Sequence, residues 1–218
     1  MLKSAKNLEG LAIKAQDGVI GKVHDWLFDE RNWEIRYLVV DTEKWLPGRR
    51  VLLPSSSAGP MDPRTQGIPV NLTQREIKEG PSIAEDEPVS LEMEKMLNER
   101  YGWPMFGGGG SIVQPAEERK HSIQKTLRSV REVVGYELRG IDGELGTVHD
   151  FLLDDTTWTL QEIVVDTRKW LPGKKVLTPP QLVEGMSWTE KTVRVDLFRA
   201  NIASQPEYDP SSPPERVL

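Results

Sequence analysis

Three histidines are present, His24, His121 and His149, and two of them stand directly before an aspartate, as His24-Asp25 and His149-Asp150. An imidazole beside a carboxylate can hold a metal ion or relay a proton near neutral pH. The plainer reading is a strand residue whose polar edge bonds to backbone. Adjacent residues of a strand point to opposite faces, so regular alternation would keep His24 and Asp25 out of one shared site. Asp41 and Asp166, each followed by Thr, raise a second possibility. An acid catalyst needs a partner carboxylate at a defined distance, and Asp25 or Asp29 could serve only by coincidence of fold. The plainer reading is an aspartate that accepts backbone N–H groups where a strand ends. Gly107 to Gly110 lack the Lys-Ser/Thr that follows the glycines of a phosphate loop. No Gly-x-Ser-x-Gly nucleophile motif occurs. The sequence therefore supplies no catalytic residue, no metal ligand set and no cofactor-binding motif, and the expectation is a protein that is not an enzyme.

These residues recur because the chain repeats. Asp17–Pro54 aligns with Asp142–Pro179 at an offset of 125 residues without a gap, and 21 of the 38 aligned positions are identical. A match of that length sets the architecture before any local pattern does. It divides the 218 residues into a first domain, 1–82, and a second, 126–204. Between them lie a helical segment, 83–106, and a Gly-rich flexible linker, 107–125, and a tail follows at 205–218. Domains of this size are near the lower limit for burying a sufficient core alone. Each has a motive to pack on the other or on a partner.

Within the first copy, residues 1–9 read as a short lead-in. A strand near Leu11-Ala12-Ile13 ends at Asp17-Gly18, a hairpin dipeptide. Strands follow at Ile20–Phe28, Trp33–Asp41 and Arg50–Leu53, the last two separated by the Pro47-Gly48 turn. After a loop rich in Ser, Pro and Gly come a strand at Ile68–Leu72 and a helical turn with Thr73 and Glu76 in capping-box spacing. The second copy repeats the order, with strands at Leu145–Leu153, Trp158–Asp166 and Lys175–Thr178. It then adds a clean hairpin, Gln181–Trp188 and Thr192–Leu197, of which Pro54–Leu72 reads as a degraded version. Pro88–Arg100 carries a rough apolar helical face capped by Ser90. The tail from Gln205 reads as loose.

Composition narrows the functional classes. The net charge is −6, and Arg49-Arg50 and Lys174-Lys175 are only pairs beside turns, so no basic face for nucleic acid is expected. There are no cysteines, which excludes disulfides and thiolate metal sites and suits a cytoplasmic location. No run of 18 apolar residues is present, and the N-terminus lacks a signal-peptide core, so neither a membrane span nor export is expected. Peripheral membrane association stays open.

The tryptophans are the other conspicuous residues. Trp33/Trp158 and Trp45/Trp170 recur at equivalent positions. Stacking on nucleic acid would call for basic neighbours, so core packing is the first reading and a protein interface the second. Trp45, Leu46, Trp170 and Leu171 lie on turns, where two consecutive apolar side chains need a cover. They are the interface candidates, together with Tyr101 and Trp103 of the Tyr-Gly-Trp-Pro stretch.

The ordered series Asp17-Gly18, Gly21-Lys22-Val23-His24-Asp25, Val39-Val40-Asp41 and Pro54 resembles the PRC-barrel domain. It returns as Asp142-Gly143, Gly146-Thr147-Val148-His149-Asp150, Val164-Val165-Asp166 and Pro179. The resemblance covers most of the chain and implies an all-β protein of two tandem, strongly curved barrels of about six strands each, with short helices. The same fold forms the cytoplasmic domain of the H subunit of purple-bacterial photosynthetic reaction centres. It also forms the C-terminal, protein-binding half of a ribosome-maturation factor. Neither the transmembrane helix of the former nor the other domain of the latter is expected from these residues. Fold does not carry function by itself. The expectation is a bacterial, non-enzymatic module that binds a protein partner or a second copy of itself. The alternative is an accessory to a membrane electron-transfer complex, in which His24, Asp25, His149 and Asp150 support proton delivery.

Overall fold

A computed structural model describes residues 2–42, 45–62, 64–80, 82–83, 127–167, 174–212 and 214. The expected helix Pro88–Arg100, the tetraglycine, Tyr101, Trp103, His121, Trp170 and Leu171 lie outside the described residues.

The first half runs β1 (Lys3–Ser4), α1 (Ala5–Leu8), β2 (Ala12–Ala15), β3 (Gly18–Asp29), β4 (Ile35–Asp41), β5 (Arg50–Pro54), β6 (Gly67–Pro69), α2 (Gln74–Lys78) and β7 (Ser82–Ile83). The second half runs β8 (Leu127–Ser129), α3 (Val130–Val133), β9 (Glu137–Gly140), β10 (Gly143–Asp154), β11 (Thr159–Asp166), β12 (Lys175–Thr178), β13 (Val183–Ser187), β14 (Thr192–Val195) and α4 (Arg199–Ala203). Two seven-stranded sheets result, ordered β6-β2-β3-β4-β5-β7 with β8 added to β3, and β12-β11-β10-β9-β14-β13 with β1 added to β10. The all-β, two-unit architecture is therefore the one expected. The first strand of each unit closes in parallel on a late strand, β2 on β6 and β9 on β14. In the first half the expected hairpin survives only as the isolated bridges Ala58↔Val70 and Asp62↔Gly67. The capping box forms as its spacing requires, with Thr73 Oγ1 accepting from Glu76 N and Glu76 Oε2 accepting from Thr73 N.

Residues 1–9 are not a lead-in. β1 pairs antiparallel with β10 of the second half, Lys3 opposite Leu153 and Ser4 opposite Leu152. β8 reciprocates on β3, with Leu127, Arg128 and Ser129 opposite Asp29, Phe28 and Leu27. The cause is the length of the central strands. β3 and β10 are each 12 residues long, whereas β2 and β9 are each four residues and pair only with their opening portions. The remainder of each edge would expose unpaired N–H and C=O groups. The opening strand of the other half covers it.

The two halves also share a core. Trp26 stacks on Trp158 at 5.5 Å and Phe28 on Trp33 at 5.3 Å, and Phe151 lies 5.7 Å from Phe28 and 6.5 Å from Trp33. Their backbones meet there. Ile35 N donates to Trp158 O at 2.7 Å and Leu160 N to Trp33 O at 2.8 Å. These are equivalent bonds at the repeat offset, the signature of a pseudo-twofold axis. Trp33 and Trp158 are 6 % and 5 % exposed and take the left-handed conformation at φ 63° and 54°, which a bulky residue rarely adopts. Core packing is thus the role of this pair.

The described residues of the tail from Gln205 are tied to the second sheet and the N-terminus. Leu177 N donates to Pro206 O, Tyr208 N to Lys175 O, and Leu2 N to Pro214 O. Leu2 and Tyr208 cover a small apolar cluster of Leu152, Val164 and Leu177 on the second sheet. Residues 206–208 occupy the place that β7 takes in the first half, since Val176↔Glu207 repeats Val51↔Ser82.

This reciprocal exchange gives a direct expectation. A protease site introduced at Gly107–Gly110 and cleaved should leave both fragments in one particle of unchanged total mass by native mass spectrometry. Fragments that separate at neutral pH without denaturant would show that the exchanged strands and aromatic axis do not hold the halves together.

Candidate functional site

The histidines and aspartates of the first motif converge where the exchanged segments cross the long strands. In the register of β3 on β4, Val23 opposes Val40 and Asp25 opposes Val39, so His24 is the extra residue of a β-bulge. His149 is the extra residue at the same point of β10, between Val148 and Asp150. A bulge breaks alternation and re-aims side chains. Val23 and Trp26 both remain in the core, three positions apart, and the two residues between them meet the exchanged helix instead. The expectation that alternation keeps His24 and Asp25 apart is corrected accordingly: both face α3, one beneath its first turn and one beside it.

Asp25 is buried, and its carboxylate has a structural role. Oδ2 accepts from Ser129 Oγ, while Oδ1 accepts from Arg131 N at 3.1 Å and from Trp26 N at 2.7 Å. Asp150 does the same for the other crossing, accepting from Ser4 Oγ, from Lys6 N at 3.2 Å and from Phe151 N at 2.8 Å. Ser4 and Ser129 are in turn the N-caps of α1 and α3, accepting from Asn7 N and Glu132 N. Each aspartate thus anchors the capped helix start donated by the other half. Burial pushes the Asp25 carboxyl above its ordinary value, against the pull of those hydrogen bonds.

The histidines sit among cations. Arg131 Nη1 lies 3.1 Å from Nδ1 and 3.3 Å from Nε2 of His24. Near-equal distances to both ring nitrogens place the guanidinium over the ring face rather than on one lone pair. Lys175 Nζ lies 2.9 Å from His149 Nε2. An ammonium can only donate, so Nε2 accepts and the proton of the neutral ring is on Nδ1. Burial first, then Arg50 and Arg131, hold His24 below its ordinary value, and burial, Lys6 and Lys175 do the same for His149. Asp25 and Asp41, and Asp150 and Asp166, oppose that shift. The arrangement disfavours a metal cation. Among the described residues no group of three or more His, Asp or Glu could hold one.

The other residues singled out by the sequence fall elsewhere. Asp29 is chelated by Arg31 at 2.7 Å and approached by Arg36 at 3.7 Å. Burial raises its carboxyl, but the Arg31 bonds outweigh this and hold it below the ordinary range, which is wrong for an acid catalyst. The strand end that carries Asp41 is fixed by packing: its carbonyl oxygen would lie 2.0 Å from a Cβ at Gly21, so only glycine fits there. The neighbouring Thr42 hydroxyl lies 2.7 Å from the carbonyl of Leu46 and 2.6 Å from that of Arg49, and its single proton, donated to either, ties the strand end to the turn. Trp45 and Leu46 on that turn are half-buried, Trp45 against the core. Sequence reasoning missed Ser4, Lys6, Ser129 and Arg131. Their signal was present, because Ser4 and Ser129, and Lys6 and Arg131, stand at the same 125-residue offset just outside the aligned block.

Two outcomes are expected. Asp25→Ala strands three donors and should cost about 2–4 kcal/mol of unfolding free energy, and Asp25→Asn less than half of that, because an amide oxygen still accepts the backbone bonds. Equal losses in urea denaturation would mean that the hydrogen bonds are not what holds the crossing. For the histidines the sign is opposite to that of Asp25. A ring held below 6.5 in the fold binds fewer protons than in the unfolded chain, so its contribution is full above about pH 6.5 and lost as pH falls through the depressed value. The urea midpoint should therefore drop between about pH 7.5 and 5.5, and His24→Gln/His149→Gln should flatten that slope. An unchanged slope in the double variant would refute the assignment.

A search of curated proteins finds no match. The model of the family described as PRC-barrel domain matches in two segments, residues 2–74 and 125–202. Both segments include the exchanged opening strand, so each matched unit begins with the piece that crosses to the other half. The matched segments span well over half of the sequence, and the chain belongs to the PRC-barrel domain family, which it carries twice.

Proposed function

We propose that the protein is a non-enzymatic interaction module, a frame that holds two unlike surfaces at a fixed separation for a protein partner. The observation that carries this reading is divergence of exposed residues on a repeated frame. In the first half, the hairpin tip and helix start carry Gln16 and Thr73, and Gln16 Nε2 donates to Asn71 Oδ1 at 2.7 Å. The equivalent residues of the second half are Ile141 and Phe198, which are 56 % and 49 % exposed. They belong to neighbouring segments, since Ile141 N donates to Leu197 O. Selection for folding alone gives no reason to place Ile and Phe in water where Gln and Thr serve. Apolar anchors of this kind favour a protein surface over a nucleic acid, and the half-buried Trp45 and Leu46 extend the candidates to the first half. The cation-flanked histidines and the structural use of Asp25 and Asp150 support the absence of catalytic chemistry.

The test is crosslinked recovery of the tagged protein from its native cell, comparing the parent with Ile141→Gln/Phe198→Thr and with Trp45→Ala. The first variant gives the second half the surface chemistry of the first. A partner recovered with the parent should be lost, at least about tenfold, in one variant whose circular dichroism and melting are unchanged. Folded variants that both retain every partner would rule out these surfaces.

A further inference from the structure

We infer that each crossing is a binding site for a phosphate-type oxyanion, formed by His24 with Arg131 in one copy and by His149 with Lys175 and Lys6 in the other. Three observations carry it. First, charge is kept where residue type is not. Lys6 corresponds to Arg131 and Arg50 to Lys175 at the repeat offset, while the histidine between them is unchanged. A packing role would tie the position to one side-chain shape, whereas an electrostatic role needs only the positive charge. Second, Arg131 is stacked on one imidazole and Lys175 is bonded to the other, rather than to acids. Among the described residues, Arg131, Lys6 and Lys175 have no carboxylate oxygen within 4.0 Å. Third, the bulge that points each histidine at the crossing recurs in both halves. A bulge interrupts the ladder, and its retention twice is a feature to be explained rather than a defect.

Electrostatics sets the ligand class. The groups facing His24 are Arg50, Arg131, Asp25 and Asp41, and those facing His149 are Lys6, Lys175, Asp150 and Asp166. Asp25 and Asp150 are buried and spend their oxygens on the exchanged segment, so the carboxylates an anion would meet are Asp41 and Asp166 beside the rings and Glu9 near Arg131 and Lys6, none of them within 4.0 Å of Arg131, Lys6 or Lys175. A guanidinium fork or an ammonium beside an imidazole N–H matches a tetrahedral oxyanion. A bound dianion would also remove the mutual repulsion of the two cations and allow the ring to take a proton. Because each site draws one cation from the exchanged helix and the histidine from the long strand, occupancy would tighten the crossing.

The proposal is tested on the full chain by titrating inorganic phosphate at constant ionic strength, with chloride as the comparison, and following the imidazole nitrogens of His24 and His149 by NMR. Phosphate should shift both rings saturably and raise the pKa of both. Arg131→Ala should weaken binding at His24 about tenfold or more and leave His149 unchanged, and Lys175→Ala the reverse. Both variants keep the backbone N–H groups and aspartates of the crossing, and an unchanged urea midpoint without phosphate confirms that they fold. A second arm sediments the protein with vesicles containing phosphatidic acid. Vesicle binding abolished by Arg131→Ala/Lys175→Ala identifies a lipid headgroup as the source, and binding of free phosphate alone identifies a soluble one. Shifts no larger than those of chloride, or shifts that survive in the variant of the same site, together with no vesicle binding, would overturn the proposal.

Discussion

A strand longer than its partner is the constraint on which this structure depends. β3 and β10 extend well past the four-residue strands beside them. Half of one edge of each would be left unpaired, and the carboxylate of Asp25 or Asp150 would be left facing it. Neither can be buried inside its own half without a loss, since a buried carboxylate with no donors is far costlier than any one side-chain contact. The opening segment of the other half supplies both needs at once: ladder bonds from β1 or β8, and a serine hydroxyl and backbone N–H groups from the start of α1 or α3. The exchange is therefore a consequence of strand length and one buried charge.

Once the edges are exchanged, the inner faces have to meet, and the aromatic residues on the axis set how. Trp33 and Trp158 accept a backbone conformation that costs of the order of 1–3 kcal/mol each. The return is large, because each indole is almost wholly buried, Trp158 against Trp26 across the axis and Trp33 against Phe28 of its own half and Phe151 of the other, and its carbonyl receives a cross-axis N–H. Burying an aromatic side chain is worth about 2–3 kcal/mol before ring stacking is counted. The strain is thus held in place by packing and backbone bonds that come in part from across the axis. It follows that the halves are not two domains leaning on each other. They are one core with two sheets around it, and the relative position of their outer surfaces is set by the fold.

Much of this is legible in the sequence. The repeat, the Asp-Gly hairpins, the order of strands and the Thr73–Glu76 cap all rest on local rules, and all stand where those rules put them. What escapes is non-local. Nothing in Lys3-Ser4 distinguishes a strand that pairs with residue 153 from one that pairs nearby, because ladder bonds use the backbone, which every residue carries. The bulge at His24 escapes for a related reason. A single inserted residue shifts the alternation of buried positions by one, and Val23 and Trp26, three apart rather than two or four, are the only trace of it. The tail escapes because Pro206–Tyr208 looks like a terminus in composition and is ordered only by the edge of β12. The candidate histidines stand out by their pairing with aspartate, but their cationic surroundings come from other elements, Arg131 and Lys6 from the exchanged helices and Arg50 and Lys175 from the starts of β5 and β12.

The two halves show which of these features selection for the fold explains. Where the repeat is identical, the shared residues have structural roles. Gly21 and Gly146 admit a carbonyl at a distance no Cβ would allow, Asp25 and Asp150 anchor the crossing, and Thr42 and Thr167 bond back to the following turn. The histidine stands apart from these. It is half-exposed, burial and neighbouring cations hold it below its ordinary value, and its ring meets a cation, Arg131 or Lys175, in each copy. Identity without a structural role, next to positions that change residue but keep charge, is the pattern expected of a group kept for what it binds. The exposed hairpin tip shows the opposite pattern, since Gln16 becomes Ile141 on an otherwise equivalent frame. One surface retained in duplicate and one surface made different are what a two-unit frame can offer that a single barrel cannot.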